Sequence, residues 1–382
     1  MENPVLSTAI SSLRRRLTNR VTESWSSPEG LPLPRPIRKA LELAAPCYLR
    51  GLAKDQEISR KRQRSLPACV ISVGNLVVGG TGKTPFTLWL AEHLSRRGLR
   101  VAVLSRGYGG GAHEAALVPG AGETLPLVKR YGDEPVLMAR KLNDVPVWVG
   151  RNRYDAGLAA VRISGAQVLI LDDGFQHLSL ARDLDLVLLD CRSPFGNGEV
   201  LPLGPLREPV SHLQRASAVI LTRAEDPHRA EAVRRSLRIR FPDKPVFTSS
   251  HRLREPVQGL AGPRVPFDKL QQAPAGAFAG IARPQTFFDS LRRAGVRLAR
   301  SWAFPDHHPY ARRDIRSLLE SVRRDGLRWL LTTEKDYVRL PSWLQSVTLT
   351  VGLEMHFGPD ATQLVEIVDA AAAICARGAE KE

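Results

Sequence analysis

The sequence predicts an α/β fold: a mostly parallel sheet flanked by helices on both faces, with a second, smaller α/β unit after it. Three observations predict this. From about residue 68, short apolar runs of strand length alternate with helical segments, and runs with few polar residues mark strands covered on both faces. Parallel neighbours need long crossovers, and the intervening helices supply them. The first strand also leads directly into a glycine-rich loop that opens a helix, "VGGTGKTP" at 78–85.

Composition bounds the class. The 382 residues, 43% hydrophobic and 25% charged, suit a globular chain large enough for two domains. Lys and Arg number 55 against 39 Asp and Glu, a net charge of +16. That excess favours an anionic partner: nucleic acid, a phosphorylated substrate or an acidic membrane face. Nucleic acid is disfavoured, because aromatics are only 6% of the chain and no helix-turn-helix, zinc or RNA-binding signature occurs. The four cysteines, Cys47, Cys69, Cys191 and Cys375, form no C-x-x-C pair. A reducing compartment is expected, without a zinc site or a disulfide framework. The N-terminus "MENPVLSTAISSLRRRL" lacks the basic start and clean apolar run of a secretion signal. No run approaches the ~18 apolar residues of a membrane span.

Residues 1–64 form a basic amphipathic segment. Ile10, Leu13, Leu17 and Val21 recur at helical spacing between arginines, and "IRKALELAAPCYLRGLA" follows a Pro-rich stretch. Such helices suit an anionic membrane interface; the same pattern also fits a helix packed on the protein's own core. Residues 65–224 are the expected catalytic core. Its strands are "ACVISVGN", "RVAVLSRG", "VPVWVG", "QVLILDD", "LDLVLLD" and "ASAVILTR". Helices are expected over "KTPFTLWLAEHLSRRG", "EPVLMARKL" and "RYDAGLAAVRIS". Residues 225–382 are the expected second unit, with "GAFAGIA", "PQTFFDSLRRAG", "WLLTTEKD", "SVTLTVG" and the closing helix "DATQLVEIVDAAAAICA".

The loop at 78–85 lacks the first glycine of the strict G-x-x-x-x-G-K-[ST] pattern, since Val77 stands there. Its context is nonetheless that of a P-loop, with a buried strand before it and a helix starting at it. Gly79, Gly80, Thr81 and Gly82 would turn backbone N–H groups onto phosphate oxygens, helped by the helix N-terminus. Lys83 would reach the outer phosphates and the Thr84 hydroxyl would bind Mg²⁺. "VLILDD" ends a strand with Asp172 and Asp173, the carboxylates such a site needs for Mg²⁺. Either aspartate could make the contact. "RAED" stands where a guanine-selecting N-K-x-D would follow "AVILT", so ATP is expected. "RGYGGGAH" has no helix behind it and reads as a glycine loop rather than a dinucleotide fingerprint.

The stretches "SVGNLVVGGTGKTP", "SRGYGG", "GDEP", "LDDGFQH", "LPLGPLREP", "FPDHHPY" and "TTEKD" occur in this order between about residues 70 and 336. Together they resemble the tetraacyldisaccharide 4′-kinase family, the lipid A 4′-kinases. The resemblance implies ATP- and Mg²⁺-dependent phosphorylation of the 4′-hydroxyl of an acylated disaccharide 1-phosphate. It also implies a peripheral position on the cytoplasmic face of the bacterial inner membrane, with no obligate protein partner. Asp133 of "GDEP" resembles the family's catalytic base, with Glu134 beside it, and His307 of "FPDHHPY" the histidine that pairs with that base. An alcohol is a poor nucleophile, and a carboxylate within reach can orient it and take its proton. On pattern alone, "GDEP" equally caps the helix that follows, and "DHH" equally makes a polar loop. Arg153, and Arg207 with Glu208, match positions the family uses near phosphate or substrate, and Gln176, which follows the acidic pair, is expected to support the nucleotide site. The alternative is a P-loop ATPase switching a protein partner, whose usual K-G-G-x-G-K start is missing because Val78 precedes Gly79.

If the loop works despite Val77, Lys83→Ala lowers turnover by about three orders of magnitude without unfolding the protein. The cause is lost stabilisation of charge on the transferring phosphoryl group. Steady-state kinetics with a melting curve of the same sample check this, and normal turnover in the folded variant removes the P-loop assignment.

Overall fold

The computed structural model describes residues 21, 24, 25 and 33–379. Ile10, Leu13 and Leu17 of the expected amphipathic segment lie outside the described residues. Helix α1 (Arg35–Lys61) starts with a proline in its first turn, where no N–H partner is needed, and carries Pro46 inside. Only Ala45 and Gln56 are buried along it. It is tied down by polar contacts, notably the Tyr48 hydroxyl, which donates to the Arg207 carbonyl at 2.7 Å. Among the described residues no helix is long and apolar enough to cross a membrane.

The core follows in the expected order. β1 (Cys69–Gly74) leads into α2 (Lys83–Arg96) and β2 (Val101–Ser105). Then come β3 (Ala116–Leu117), α3 (Asp133–Lys141), β4 (Val147–Val149), α4 (Arg153–Ser164) and β5 (Val168–Asp172). β6 (Leu184–Asp190) and β7 (Ala218–Thr222) end this run. Every residue of β1, β2, β5, β6 and β7 is buried, because alternate side chains meet helices on opposite faces. One face packs Ile71, Val103, Ile170 and Leu186 against Phe86, Leu90 and Met138 of α2 and α3. The other packs Leu104, Leu169 and Leu171 against Ala156 and Ala160 of α4.

The chain then adds helix α5 (Pro227–Arg240), capped by the Asp226 carboxylate, and β8 (Val246–Leu253), which pairs parallel with β7. Beyond it lie β9 (Val257–Gln258), β10 (Ala275–Ala279), α6 (Pro284–Arg293), β11 (Leu298–Ala303) and α7 (Arg312–Arg324). β12 (Trp329–Thr333), the short α8 (Glu334–Tyr337), β13 (Leu349–Val351), β14 (Leu353–Phe357) and α9 (Ala361–Ala379) complete it. Among the described residues the large sheet has nine strands in the order β14-β8-β7-β6-β1-β5-β2-β4-β3, and the small one five, β11-β10-β12-β13-β9.

This membership differs from the expected division at residue 225. β8 and β14 are joined antiparallel, Leu253 opposite Leu353, and both extend the large sheet. Leu364, Val368 and Ala372 of α9 are buried in the large core. The second unit is therefore an excursion between β8 and β14. The boundary was misplaced because "VFTSSHRL" and "LEMHF" carry polar residues that hide two edge-side strands, and a strand's partners are set by tertiary packing.

Gly74 closes β1, where a Cβ would lie 2.5 Å from the Phe175 Cβ and 2.8 Å from its backbone nitrogen. Gly74→Ala is expected to cost about 1–3 kcal/mol through overpacking, read as a lower denaturant midpoint with an unchanged slope.

Candidate active site

The parallel strands of the large sheet deliver their C-terminal ends to one cleft of about 1360 Å³, closed on its far side by the second unit. This is where open α/β sheets place their ligands. Three residues beyond β1, Val77 is buried and makes an isolated antiparallel bridge to Leu206. Its φ is not positive, so its backbone does not require glycine there. Asn75 Nδ2 donates to the Val77 carbonyl at 2.8 Å and to Thr81 Oγ1 at 3.1 Å, shaping the loop from inside. The Gly80 and Thr81 carbonyls accept from Arg223 and from the Thr222 hydroxyl, both at 2.8 Å. Gly82 has φ 88°, and a Cβ on it would meet the His251 ring at 2.9 Å, so glycine is needed on both counts. The helix it opens has no side-chain cap, leaving an N-terminus suited to phosphate. Gly79, Gly80, Thr81, Gly82, Lys83 and Thr84 all line the cleft.

Asp172 and Asp173 end β5 opposite this loop, in contrasting surroundings. Asp173, in a left-handed turn with φ 55°, receives Arg207 Nη1 at 3.0 and 2.9 Å and lies 3.4 Å from Lys83 Nζ. Burial pushes its carboxyl up, but Lys83 and Arg207 outweigh that and hold it down at about 2. Asp172 is buried with only the Thr87 hydroxyl at 3.3 Å. Burial, reinforced by Glu134 and Asp173, pushes it up to about 7. Gln176 bridges the two elements: its Nε2 donates to the Asn75 carbonyl at 2.9 Å, and its Oε1 accepts from Arg207 at 3.4 Å. Arg153 is buried at the start of α4, donates to the Gly150 carbonyl at 2.7 Å and leaves its Nε without a partner. Burial lowers it to about 10 even though Asp172 and Asp173 pull it the other way.

Asp133 is the first residue of α3; the N-cap is Gly132 and no side chain caps the helix. The capping role of "GDEP" is therefore not seen, and the Asp133 side chain lines the cleft instead. Its Oδ1 accepts from the Glu134 amide at 2.9 Å, and its Oδ2 lies 2.8 Å from His307 Nδ1. Lys335 Nζ, which can only donate, is 3.3 Å from His307 Nε2 and 3.0 Å from Glu134 Oε1. Nε2 is therefore the acceptor, and Nδ1 carries the proton given to Asp133. Burial raises the Asp133 carboxyl, but the His307 bond, Lys335 and Arg339 outweigh it and the net direction is down. The Asp133 bond raises His307 against its partial burial. His308 turns away to Asp314 at 2.9 Å, so the two adjacent histidines serve different carboxylates rather than one metal.

Glu208 is not brought to the cleft. It is fully buried behind Arg207, held by Arg215 and His212, both at 2.8 Å. The mismatch arises because successive residues of "PLREP" face opposite ways, and only Arg207 reaches Asp173. Sequence reasoning also missed Lys335, Arg339 and the Lys141–Glu334 pair, whose ammonium lies 2.7 Å from Glu334 Oε1. "TTEKD" was visible as a motif, but nothing in it showed that Glu334 and Lys335 each reach α3.

Comparisons with known proteins point to one family. A sequence model described as tetraacyldisaccharide-1-P 4′-kinase matches residues 43–373. A tetraacyldisaccharide 4′-kinase of Syntrophobacter fumaroxidans (strain DSM 10017 / MPOB) is 49% identical over 356 residues, 93% of each chain. One from Anaeromyxobacter dehalogenans (strain 2CP-C) is 42% identical over 308 residues, 80% of this chain and 79% of its own. The crystal structure of the "apo" form of LpxK from Aquifex aeolicus in complex with ATP has a TM-score of 0.70 at 30% identity. The match covers 88% of this chain and 99% of that one.

Removing the Glu208 carboxylate leaves the Arg215 guanidinium without its buried counter-charge. Glu208→Ala is expected to destabilise the fold by about 3 kcal/mol, checked by equilibrium urea unfolding.

Proposed function

This chain belongs to the tetraacyldisaccharide 4′-kinase family, and from that membership we propose how its residues divide the work of the reaction. It is an ATP-dependent kinase that phosphorylates the 4′-hydroxyl of an acylated disaccharide 1-phosphate. The reading as a protein-switching ATPase is not favoured by the family match.

Lys83 and the backbone of residues 79–84 bind the ATP phosphates. Asp133 takes the proton of the 4′-hydroxyl, whose oxygen forms a bond to the γ-phosphorus as the bond from that phosphorus to the β-γ bridging oxygen breaks, leaving ADP. The carrying observation is that an ionised, histidine-held carboxylate shares one cleft with the phosphate loop. With its pKa lowered, Asp133 is a carboxylate at neutral pH and has a lone pair on Oδ1 for the hydroxyl. His307 fixes its orientation by donating from Nδ1. Arg153 and Arg207 offer guanidinium donors to phosphate, and Glu134 lies at the acceptor side.

The donor set fits Mg²⁺. Asp172 is a buried carboxylate crowded by Glu134 and Asp173, a charge a hard divalent cation would relieve. Asp173 already has Arg207 and Lys83, so Asp172 with the Thr84 hydroxyl is the direct pair in this reading. When bound, the ion neutralises charge on the transferring phosphates.

We place the protein peripherally on the cytoplasmic face of the inner membrane, where its acylated acceptor resides. Support comes from the +16 charge and from Leu43 and Ile58, exposed on the basic helix α1.

Transfer of labelled γ-phosphate to lipid A disaccharide 1-phosphate in detergent micelles tests the reading. Asp133→Ala and His307→Ala are each expected to lower kcat by at least about 100-fold with little change in KM for ATP. The double variant falls little further, because groups acting as a unit are non-additive. Additive losses would separate the two roles, and a wild-type rate in Asp133→Ala would refute the base.

A further inference from the structure

Arg339 is a buried cation that the steps above do not use. It lies just past α8, and its guanidinium is fully engaged. Nε donates to the Lys335 carbonyl at 3.1 Å and lies 3.4 Å from Asp133 Oδ2. Nη1 donates to the His308 carbonyl at 3.3 Å. Nη2 donates to the Gly280 carbonyl at 3.1 Å and pairs with Asp336 Oδ1 at 3.1 Å.

Asp336 is a fixed anchor for this grip. It is fully buried and accepts from the Tyr310 hydroxyl at 2.6 Å, the Gly280 amide at 2.9 Å and the Thr333 hydroxyl at 2.6 Å. The segment between these contacts is strained: His307 and Tyr310 have φ 56° and 48° without being glycine. Such conformations persist only where surrounding contacts over-determine them. The Gly280 carbonyl also accepts from the His307 amide at 3.1 Å, so Arg339 holds the loop on both sides of the imidazole.

We propose that Arg339 is a positioning residue for phosphoryl transfer, fixing the His307 loop in its left-handed turn and laying a permanent positive charge against Asp133. The inference rests on Asp133 being the base. The other charged or polar groups around that carboxylate are His307 and Lys335 from the second unit, with Asp306 near His307. Glu134 lies on its own helix, and the Tyr108 ring lies 6.2 Å from the imidazole. His307 titrates, and the Lys335 ammonium is committed to Glu134. The Arg339 guanidinium keeps its charge at any working pH.

The sign of the effect is fixed. Arg339 lowers the Asp133 pKa, so removing its charge moves the acid limb of the kcat–pH profile to higher pH. The test compares the full-length wild type, Arg339→Gln, Arg339→Lys and Asp133→Asn in the micelle assay, with a melting curve for each. Arg339→Gln is expected to lose about tenfold or more in kcat, with KM for ATP within about twofold and the acid limb shifted upward. Arg339→Lys should return the limb to its wild-type position while recovering only part of kcat, because an ammonium cannot span the three carbonyls. A folded Arg339→Gln with an unmoved limb overturns the proposal. If that variant does not fold, a wild-type kcat in Arg339→Lys overturns it instead, and a lowered kcat on an unshifted limb supports it. Near-normal activity of Asp133→Asn removes the base assignment and this inference with it. An inactive Asp133→Asn beside an unmoved limb removes the inference alone.

Discussion

The hydrogen bond between Asp133 and His307 joins residues 174 positions apart, and the proposed catalytic geometry depends on it. Asp133 is held by the helix that covers the large sheet; His307 is on a loop of the second unit. The bond exists only where the two units meet, so the proposed base gains its histidine from the packing of one unit on the other. Other contacts reinforce the same seam. Lys335 reaches Glu134 at the start of α3, and Glu334 takes Lys141 at its end, so that helix is gripped at both termini. Buried charges are stabilising only when fully paired and hydrogen-bonded. Closure is therefore selective for one register of the two units.

Neighbouring residues acquire opposite chemistry from their surroundings alone. Asp172 and Asp173 are adjacent and identical in type, yet one is pushed up to about 7 and the other held down at about 2. Like charges and burial act on the first, and two cations on the second. The same cation, Arg207, presents its carbonyl to Tyr48 of α1. The basic helix thereby reaches the nucleotide side of the cleft, which Tyr48, Leu52, Asp55 and Ser59 also line, giving a short physical path between the proposed membrane-facing surface and the phosphates.

Much of the fold was legible in the sequence because buried parallel strands and crossover helices leave local signals. Unbroken apolar runs identified β1, β2, β5, β6 and β7, and a glycine-rich turn into a helix identified the phosphate loop. β8 and β14 left no such signal, since they lie at one end of the sheet with polar residues on an open face. The loop pattern and a strand ending in two aspartates named Lys83 and the acidic pair, whereas Asp133 and His307 were named through their company in a family rather than through any local property.

By itself, then, the chain's order of residues determined the α/β class and the phosphate loop, because both are written in short-range patterns, while the reaction type came through resemblance to a family. Tertiary structure decided which strands belong to which sheet, and that Val77 stands in place of a glycine as a buried residue bridged to Leu206. It decided that Glu208 faces the core while Arg207 faces the cleft. It also decided that Lys335 and Arg339, two cations among 55, are the ones set beside the base. The reason is physical: a charge acts through distance and burial, and neither quantity exists until residues far apart in sequence are packed together.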